Sequence, residues 1–436
     1  METKRAIEIT PKAKLHPLKN RSVPLTPLNP GPLPGDWEVH PIGSVSHKVT
    51  NGFVGSSLPH QLDEPGISYL QGFNIRPSRI DLTKRSYVTA DFHRSNPKSC
   101  LKAGDILIVQ SGHIGTAARV PDGFGAANCH ALIIVDIDRD LVDPDYVVEY
   151  LNSALGQARL RGLHVGSSML HINTSELADY QIPLPQLREQ RKIAEIMRTW
   201  NEAIEKLDRL RTAYESRILG LRDSLMARAS RQGRPACFGD FLTESRIPGS
   251  NGATARKISV RLYGKGTLEK NSSRSGSANT RYYRRKAGQI IWSKLDFLNG
   301  AFALIGPELD GCESTLDLPA FDCDPSVNQA WLIEYLTRPA YYTRQVHLAR
   351  GQRKARRIAP DDWLASPLRL PDRATQDHIA DTLSCARKEL SLLDAEIDAV
   401  TRQKRGLMQK LLTGEWRVSP TSEEPSETLK ENAHAE

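Results

Sequence analysis

The feature that most restricts this chain is that it contains a long segment twice. Leu184-Pro185 returns as Leu370-Pro371, an offset of 186 residues (370 minus 184). At the same offset Gln190 meets Gln376, Ile193-Ala194 meets Ile379-Ala380, and Leu207 meets Leu393. Gly220-Leu221 likewise meets Gly406-Leu407, and Leu225 meets Leu411. No gap is needed over about forty residues, and the period is far longer than that of a solenoid repeat.

Both copies read as long helices with one apolar seam. In the first, Ile193, Trp200, Leu207, Tyr214 and Leu221 fall seven apart, with Met197, Ile204, Ile218 and Leu225 beside them. In the second, Ile379, Ala386, Leu393, Val400 and Leu407 fall seven apart, with Leu383, Leu390, Ile397 and Leu411 beside them. No proline interrupts either run. A sustained seven-residue seam needs a partner helix to cover it. Two rods of matching length, each roughly 60 Å at 1.5 Å per residue, can cover each other. The spacing therefore predicts an antiparallel coiled coil over 188–228 and 375–412. The competing arrangement is two helices that each dock on a separate globular domain.

The segments before the helices match more weakly. Ala103-Gly104-Asp105-Ile106-Leu107-Ile108 is similar to Ala287-Gly288-Gln289-Ile290-Ile291-Trp292. Each is a short apolar run after a glycine, the pattern of a buried strand. Val147-Val148-Glu149-Tyr150-Leu151 is similar to Leu332-Ile333-Glu334-Tyr335-Leu336, within a short helix-like stretch. The repeat unit is thus a globular domain followed by a long helix. The fold class expected is α/β (α+β): two similar domains joined by two long helices packed as an antiparallel coiled coil. The limits read as a proline-rich lead-in over 1–34, a first domain over 35–183 and a first helix over 184–231. A second domain follows over 232–370, a second helix over 371–416 and an acidic, disordered tail over 417–436. Residues 230–236 and 248–256 read as the lead into the second domain, and Lys270 to Thr280 as a flexible loop.

A chain of 436 residues exceeds one compact core and fits two to four domains. It has no apolar run long enough to span a membrane and no signal-peptide pattern after Met1, so a cytoplasmic protein is expected. Six cysteines stand at 100, 129, 237, 312, 323 and 385, without C-x-x-C pairs or zinc spacing. They read as reduced, mostly buried thiols. The formal net charge of +8 permits nucleic-acid binding without establishing it.

The residues resemble a known family. Ile182-Pro183-Leu184-Pro185-Gln186-Leu187-Arg188-Glu189-Gln190-Arg191-Lys192-Ile193-Ala194-Glu195-Ile196 is similar to the start of the spacer helix in type I restriction–modification specificity subunits. Gly66 to Ile75, Gly104 to Ile108 and Ser111-Gly112-His113-Ile114-Gly115 resemble that family's first target-recognition domain. Gly351-Gln352-Arg353-Lys354-Ala355-Arg356-Arg357-Ile358 resembles the basic stretch that closes many second domains. Leu407 to Gly414 resembles the family's usual ending. The resemblance covers residues 33–418.

It implies a DNA-binding subunit that is not itself an enzyme, with each domain reading one half of a bipartite double-stranded site and the coil setting the gap. It also implies two DNA methyltransferase (modification) subunits as partners, with motor/nuclease (restriction) subunits joining for cleavage. S-adenosylmethionine, ATP and magnesium are then expected in the partners, with no cofactor or metal in this chain. The alternative class is a coiled-coil scaffold or regulator that binds proteins without a defined DNA sequence.

Charge placement names the DNA candidates. In the second domain Arg281-Tyr282-Tyr283-Arg284-Arg285-Lys286 interleaves cations with aromatic rings, and Arg350, Arg353, Lys354, Arg356 and Arg357 crowd five cations into eight positions. Such clusters neutralise phosphates, and arginine can grip guanine with two hydrogen bonds. The first domain offers scattered candidates: Arg76, Lys84, Arg85, Arg94, Arg159, Arg161 and His164, with Gln110, Ser111 and His113 after an expected strand. Catalytic motifs are missing. Asp143-Pro144-Asp145-Tyr146 lacks the second proline of a methyltransferase motif and reads as a helix-start turn. Pro307-Glu308-Leu309-Asp310 has no nearby lysine to complete a nuclease site. No G-x-x-x-x-G-K-S/T phosphate loop occurs.

Overall fold

A computed structural model describes residues 9–11, 32–162, 171–270, 277–351 and 356–418. The chain divides into two compact units. One holds the residues up to Asp208 together with those from Glu396 onward, and the other runs from Arg209 to Ala395.

The first unit is built on a four-stranded antiparallel sheet, in the order Ala117–Arg119, Ile106–Val109, Leu132–Ile137, Ser46–Asn51. Strand side chains alternate between faces, and here both faces are covered. Ile106, Ile108, Ile133 and Val135 enter the core beneath the helix Pro144–Asn152, while Leu107, Val109, Leu132 and Ile134 enter a second cluster on the opposite face. That is why the segment reads as unbroken apolar sequence. A second sheet pairs Ala127–Cys129, Ile67–Leu70, Tyr87–Val88 and Gln61–Leu62.

The second unit repeats the main sheet strand for strand: Phe302–Leu304, Ile290–Trp292, Ala320–Cys323, Leu242–Ser245. Ile290, Trp292 and Phe321 face one core and Ile291, Ala303 and Ala320 face another. The second layer differs between the units. Here it is a three-stranded sheet, Pro248–Asn251, Arg281–Arg284 and Glu313–Ser314, beside a hairpin of Ile258–Val260 with Thr267–Glu269.

Matching residues start matching helices. Asp143 caps Pro144–Asn152, its carboxylate accepting from the Tyr146 amide at 3.0 Å, with proline at the first helical position. Asn328 caps Gln329–Leu336, accepting from the Trp331 amide at 3.0 Å. Each domain is then closed by an antiparallel strand pair that feeds its long helix, Glu38–Pro41 with Gln181–Leu184 and Arg234–Cys237 with Pro367–Leu370.

The long helices are Leu187–Gln232 and Arg373–Leu412, and each unit contains part of both. In the first unit Lys404 of the second helix bonds Asn201 of the first, and Ile193, Ile196 and Met197 share a core with Met408, Leu411 and Leu412. In the second unit Arg211 meets Asp394, and Tyr214 donates to Glu389 at 2.9 Å. Met226 and Ala229 there share a core with Ile379, Ala380 and Leu383. Within each unit the pairing is antiparallel. The expected seam is uneven in depth. Ile193, Ile379 and Leu383 are buried because a globular domain also covers them. Trp200, Leu207, Tyr214, Leu221, Leu390, Leu393, Val400 and Leu407 are half-buried; Trp200 and Leu407 pack at the margin of the first unit's core and Leu221 at the margin of the second's.

Some edges differ from expectation. Arg417 and Val418 are not tail: Trp416–Val418 is a strand, antiparallel to Ile9–Pro11 in the supposed lead-in. Residues 419–436, and 271–276 of the expected loop, lie outside the described residues. The cysteines are free, but only Cys129 and Cys312 are buried, and Cys385 is exposed on the second helix. Burial pushes the Cys129 thiol up to about 12. No helix among the described residues is long and apolar enough to cross a membrane.

Candidate nucleic-acid interface

Two loops meet at the end of an inner strand of the main sheet in each unit. In the first unit Ile106–Val109 runs into Gln110-Ser111-Gly112-His113. The turn closes through bonds from the Val109 amide to the Thr116 carbonyl at 3.0 Å and from the Gly115 amide to the Val109 carbonyl at 2.8 Å. Gly115 has φ of 75°, and an added Cβ there would strike Leu160. A second segment crosses this loop. The Ile172 amide donates to the Gln110 carbonyl at 3.0 Å, and Ser111 Oγ lies 2.8 Å from His171 Nδ1. Ser111, His113 and His171 are exposed, above fully buried Ile172. Gln110 is buried instead, so it supports the loop from below.

The second unit repeats the crossing. Ile290–Trp292 runs into Ser293-Lys294-Leu295, and the Ile358 amide donates to the Lys294 carbonyl at 3.1 Å. Arg357 stands beside Asp317 at 3.9 Å, and Arg350, on the strand paired with Arg357–Ile358, reaches Asp362 at 2.7 Å. Arg350, Arg356 and Arg357 are exposed. Arg353 and Lys354 lie outside the described residues.

The strand Arg281–Arg284 presents Arg281 and Arg284 to solvent, and Lys286 follows them there. Tyr282 and Tyr283 are half-buried, with Lys257 Nζ 5.9 Å from the Tyr282 ring. These side chains form a basic face on the second layer, a surface able to neutralise phosphates.

Two candidate cations belong to the interior. Arg285 is fully buried and donates to the Ser245 carbonyl at 2.6 Å, Ser314 Oγ at 2.8 Å and the Leu318 carbonyl at 3.2 Å. Burial lowers its pKa to about 10. Arg159 is buried too: it donates to Tyr150 Oη and to the Gln181 carbonyl, and its guanidinium sits 4.8 Å from the Tyr180 ring. Their donors are spent on protein acceptors, so neither reaches a phosphate. Arg161 is exposed. Of the scattered cations, Arg76 pairs with Asp81 and Arg94 with Asp91. Arg85 donates to the Leu82 carbonyl at 3.3 Å, Lys84 is exposed, and His164 lies outside the described residues.

Sequence reasoning missed His171, Lys294 and Leu295. The repeat held the signal: His171 and Arg357 stand 186 apart (357 minus 171), the helix offset itself. It also missed what the repeated glutamines do. Gln190 Oε1 accepts the Asp143 amide at 2.9 Å and its Nε2 donates to the Pro185 carbonyl at 2.8 Å. Gln376 takes the Asn328 amide and the Pro371 carbonyl, both at 2.8 Å. Glu149 and Glu334 form a second matched pair. Glu149 accepts from Asn201 at 2.7 Å and faces Lys404 at 3.5 Å, so it touches both long helices. Glu334 accepts from Arg387 at 2.9 and 2.8 Å, with Arg222 at 3.9 Å. No cluster of three or more His, Cys, Asp or Glu side chains suited to a metal occurs among the described residues.

Comparison with known proteins finds similarity in one part of the chain. Residues 34–212 match the family described as the type I restriction modification DNA specificity domain. This part of the chain is similar to that domain. It is 28% identical over 190 residues to the specificity subunit provisionally assigned to the MjaX type I restriction enzyme of Methanocaldococcus jannaschii, a match covering 41% of this chain and 43% of that one. It is 24% identical over 181 residues to the specificity subunit of the StySPI type I restriction enzyme of Salmonella potsdam, covering 39% and 38%. Each match thus spans less than half of the relative's length. In fold the chain is similar to one in a solved structure described as "Structural basis underlying complex assembly and conformational transition of the type I R-M system". The TM-score is 0.59 at 15% identity, covering 88% of this chain and 99% of that one.

Proposed function

We propose that this chain is the DNA-reading subunit of a type I restriction–modification complex. Each globular domain reads one half of a bipartite duplex site, and the two long helices set the gap. The observation that carries this reading is internal: two domains share one sheet order, one capped helix and one strand pair leading into a long helix, yet differ in their exposed loops. A single reading head needs no second copy. Two copies with different surfaces suit a target made of two different short sequences.

The chain itself makes and breaks no bond. Two methyltransferase subunits supply base modification with S-adenosylmethionine, and motor/nuclease subunits supply ATP- and magnesium-dependent translocation and cleavage, all in the cytoplasm. Exposed Arg281, Arg284, Lys286, Arg350, Arg356 and Arg357 supply phosphate contacts. The test is single-molecule methylome sequencing of a restriction-deficient host that expresses the chain with a type I modification subunit. One modified motif of two short halves around an unread gap is expected. A methylome without such a motif would overturn the reading.

A further inference from the structure

Several buried residues match between the two units, while residues displayed at the surface differ. Gln190 and Gln376, Glu149 and Glu334, Tyr150 and Tyr335, and Ile172 and Ile358 are matched in type, and all are at least partly buried. Two copies of one fold that read different sequences must keep the first kind of residue and change the second. Most exposed differences lie on ordinary surface. One place combines an exposed difference with a fixed backbone.

That place is the loop crossing. In the first unit the Ile172-to-Gln110 bond sets Ser111 opposite His171, as an isolated antiparallel bridge. In the second the Ile358-to-Lys294 bond brings Leu295 and Arg357 to the corresponding positions. The frame is anchored by Ile172 and Ile358, 0% and 1% exposed. The side chains it displays are open: Leu295 is 45% exposed and the Arg357 side chain 59%. A side chain whose backbone is held costs little entropy to present, which suits sequence reading.

We propose that Ser111 with His171, and Leu295 with Arg357, determine which bases each unit accepts. This rests on the DNA-reading function proposed above. The two pairs offer different chemistry. Ser111 and His171 carry donors and acceptors suited to polar base edges. Leu295 offers an apolar surface that suits a thymine methyl group, and Arg357 offers the forked donors that suit guanine O6 and N7.

The experiment is selection from a randomised DNA duplex library by the full chain in complex with a type I modification subunit. The wild-type chain, Ser111→Leu/His171→Arg and Leu295→Ser/Arg357→His are compared. Each double variant is expected to change base preference by about tenfold at one or two base pairs. The change falls in one half-site, a different half for each variant, while the gap stays the same. Because all four side chains are exposed, melting temperatures should stay at the wild-type value. The single variants Ser111→Ala and Arg357→Ala repeat the test with smaller changes. An unchanged motif in both double variants overturns the assignment, and so does one variant altering both halves. If the wild-type complex enriches no bipartite motif, the functional reading itself fails and the assignment falls with it.

Discussion

Arg417, just past the second long helix, holds Glu189 in the first turn of the first helix with two hydrogen bonds, Nε to Oε1 at 2.8 Å and Nη2 to Oε2 at 2.7 Å. It also holds Asp36 with two more, at 2.8 and 2.7 Å. Such forked pairs are the strong form of an ion pair. Glu189 is nearly buried and Arg417 only partly open, with side-chain exposures of 8% and 28%. Arg417→Ala strands the Glu189 carboxylate and should cost the first unit about 2 kcal/mol. Hydrogen exchange should show reduced protection of the strand Trp416–Val418. Arg417→Lys keeps the charge, loses the fork and should fall between. Wild-type protection in Arg417→Ala would remove this role.

The same clamp gives a pH dependence. The hydrogen bond from Arg417 holds the Asp36 carboxyl below its ordinary value of 3.8. A carboxyl depressed in the folded state adds stability that is present above the unfolded value and is lost as pH falls through the folded one. Protection of Trp416–Val418, corrected for intrinsic exchange, should therefore weaken on acidification below about pH 4. Asp36→Asn should lack this component and show a shallower acid limb. Equal slopes in the two chains would refute it.

Gln190 and Gln376 make a matched pair of predictions. Each side chain fills two backbone groups that burial would otherwise leave unpaired. Alanine at either position should cost about 1–3 kcal/mol. Exchange should rise around Leu141–Asp145 in Gln190→Ala and around Pro325–Gln329 in Gln376→Ala. If one alanine is silent while the other unfolds its unit, the two glutamines are not equivalent.

Much of this was legible because the sequence repeats. The offset of Leu184-Pro185 and Leu370-Pro371 marks both helix starts, and the apolar runs at Ile106 and Ile290 mark the central strands. The seam was legible in period but not in depth. Periodicity does not say that a globular domain covers Ile193 while Leu207 stays half-buried. Arginine burial was not legible either. Arg284 ends a strand and Arg285 follows it directly, and nothing in a run of cations says which one turns inward. His171 stayed hidden because its meaning comes from a backbone bond to Gln110, sixty-one residues earlier by numbering (171 minus 110).

The seam's uneven depth has its own consequence. Ile193 is fully buried with Met197 and Leu411, so Ile193→Ala should cost about 2–4 kcal/mol. Leu207 and Leu393 are half-buried, and the same truncation there should cost about half as much. Leu207→Asp and Leu393→Asp put a charge into a half-buried apolar seam and should weaken assembly with a modification subunit, read by native mass spectrometry. Equal costs for Ile193→Ala and Leu207→Ala in urea unfolding would contradict the burial difference.

Arg284, at the end of a strand, and Arg285, just after it, separate binding from folding. Arg281 and Arg284 face solvent, whereas Arg285 is enclosed by the Ser245 and Leu318 carbonyls and Ser314 Oγ. Each phosphate contact releases counterions and adds about 0.9 to the slope of log affinity against log salt. Arg281→Ala/Arg284→Ala should lower that slope by up to about two for a duplex and leave the melting temperature unchanged. Arg285→Ala should do the reverse. It leaves the Ser245 carbonyl and Ser314 Oγ without the guanidinium, while the Leu318 carbonyl keeps Ser314 Oγ as a donor at 2.6 Å, at a cost of about 2–4 kcal/mol to the second unit. Its salt slope should match wild type wherever the variant remains folded. The measurement is a salt titration of duplex binding by fluorescence anisotropy beside a thermal melt. An unaltered slope in the Arg281/Arg284 variant would show that this basic face does not touch DNA. An unaltered melt in Arg285→Ala would show that the buried guanidinium does not hold the sheet.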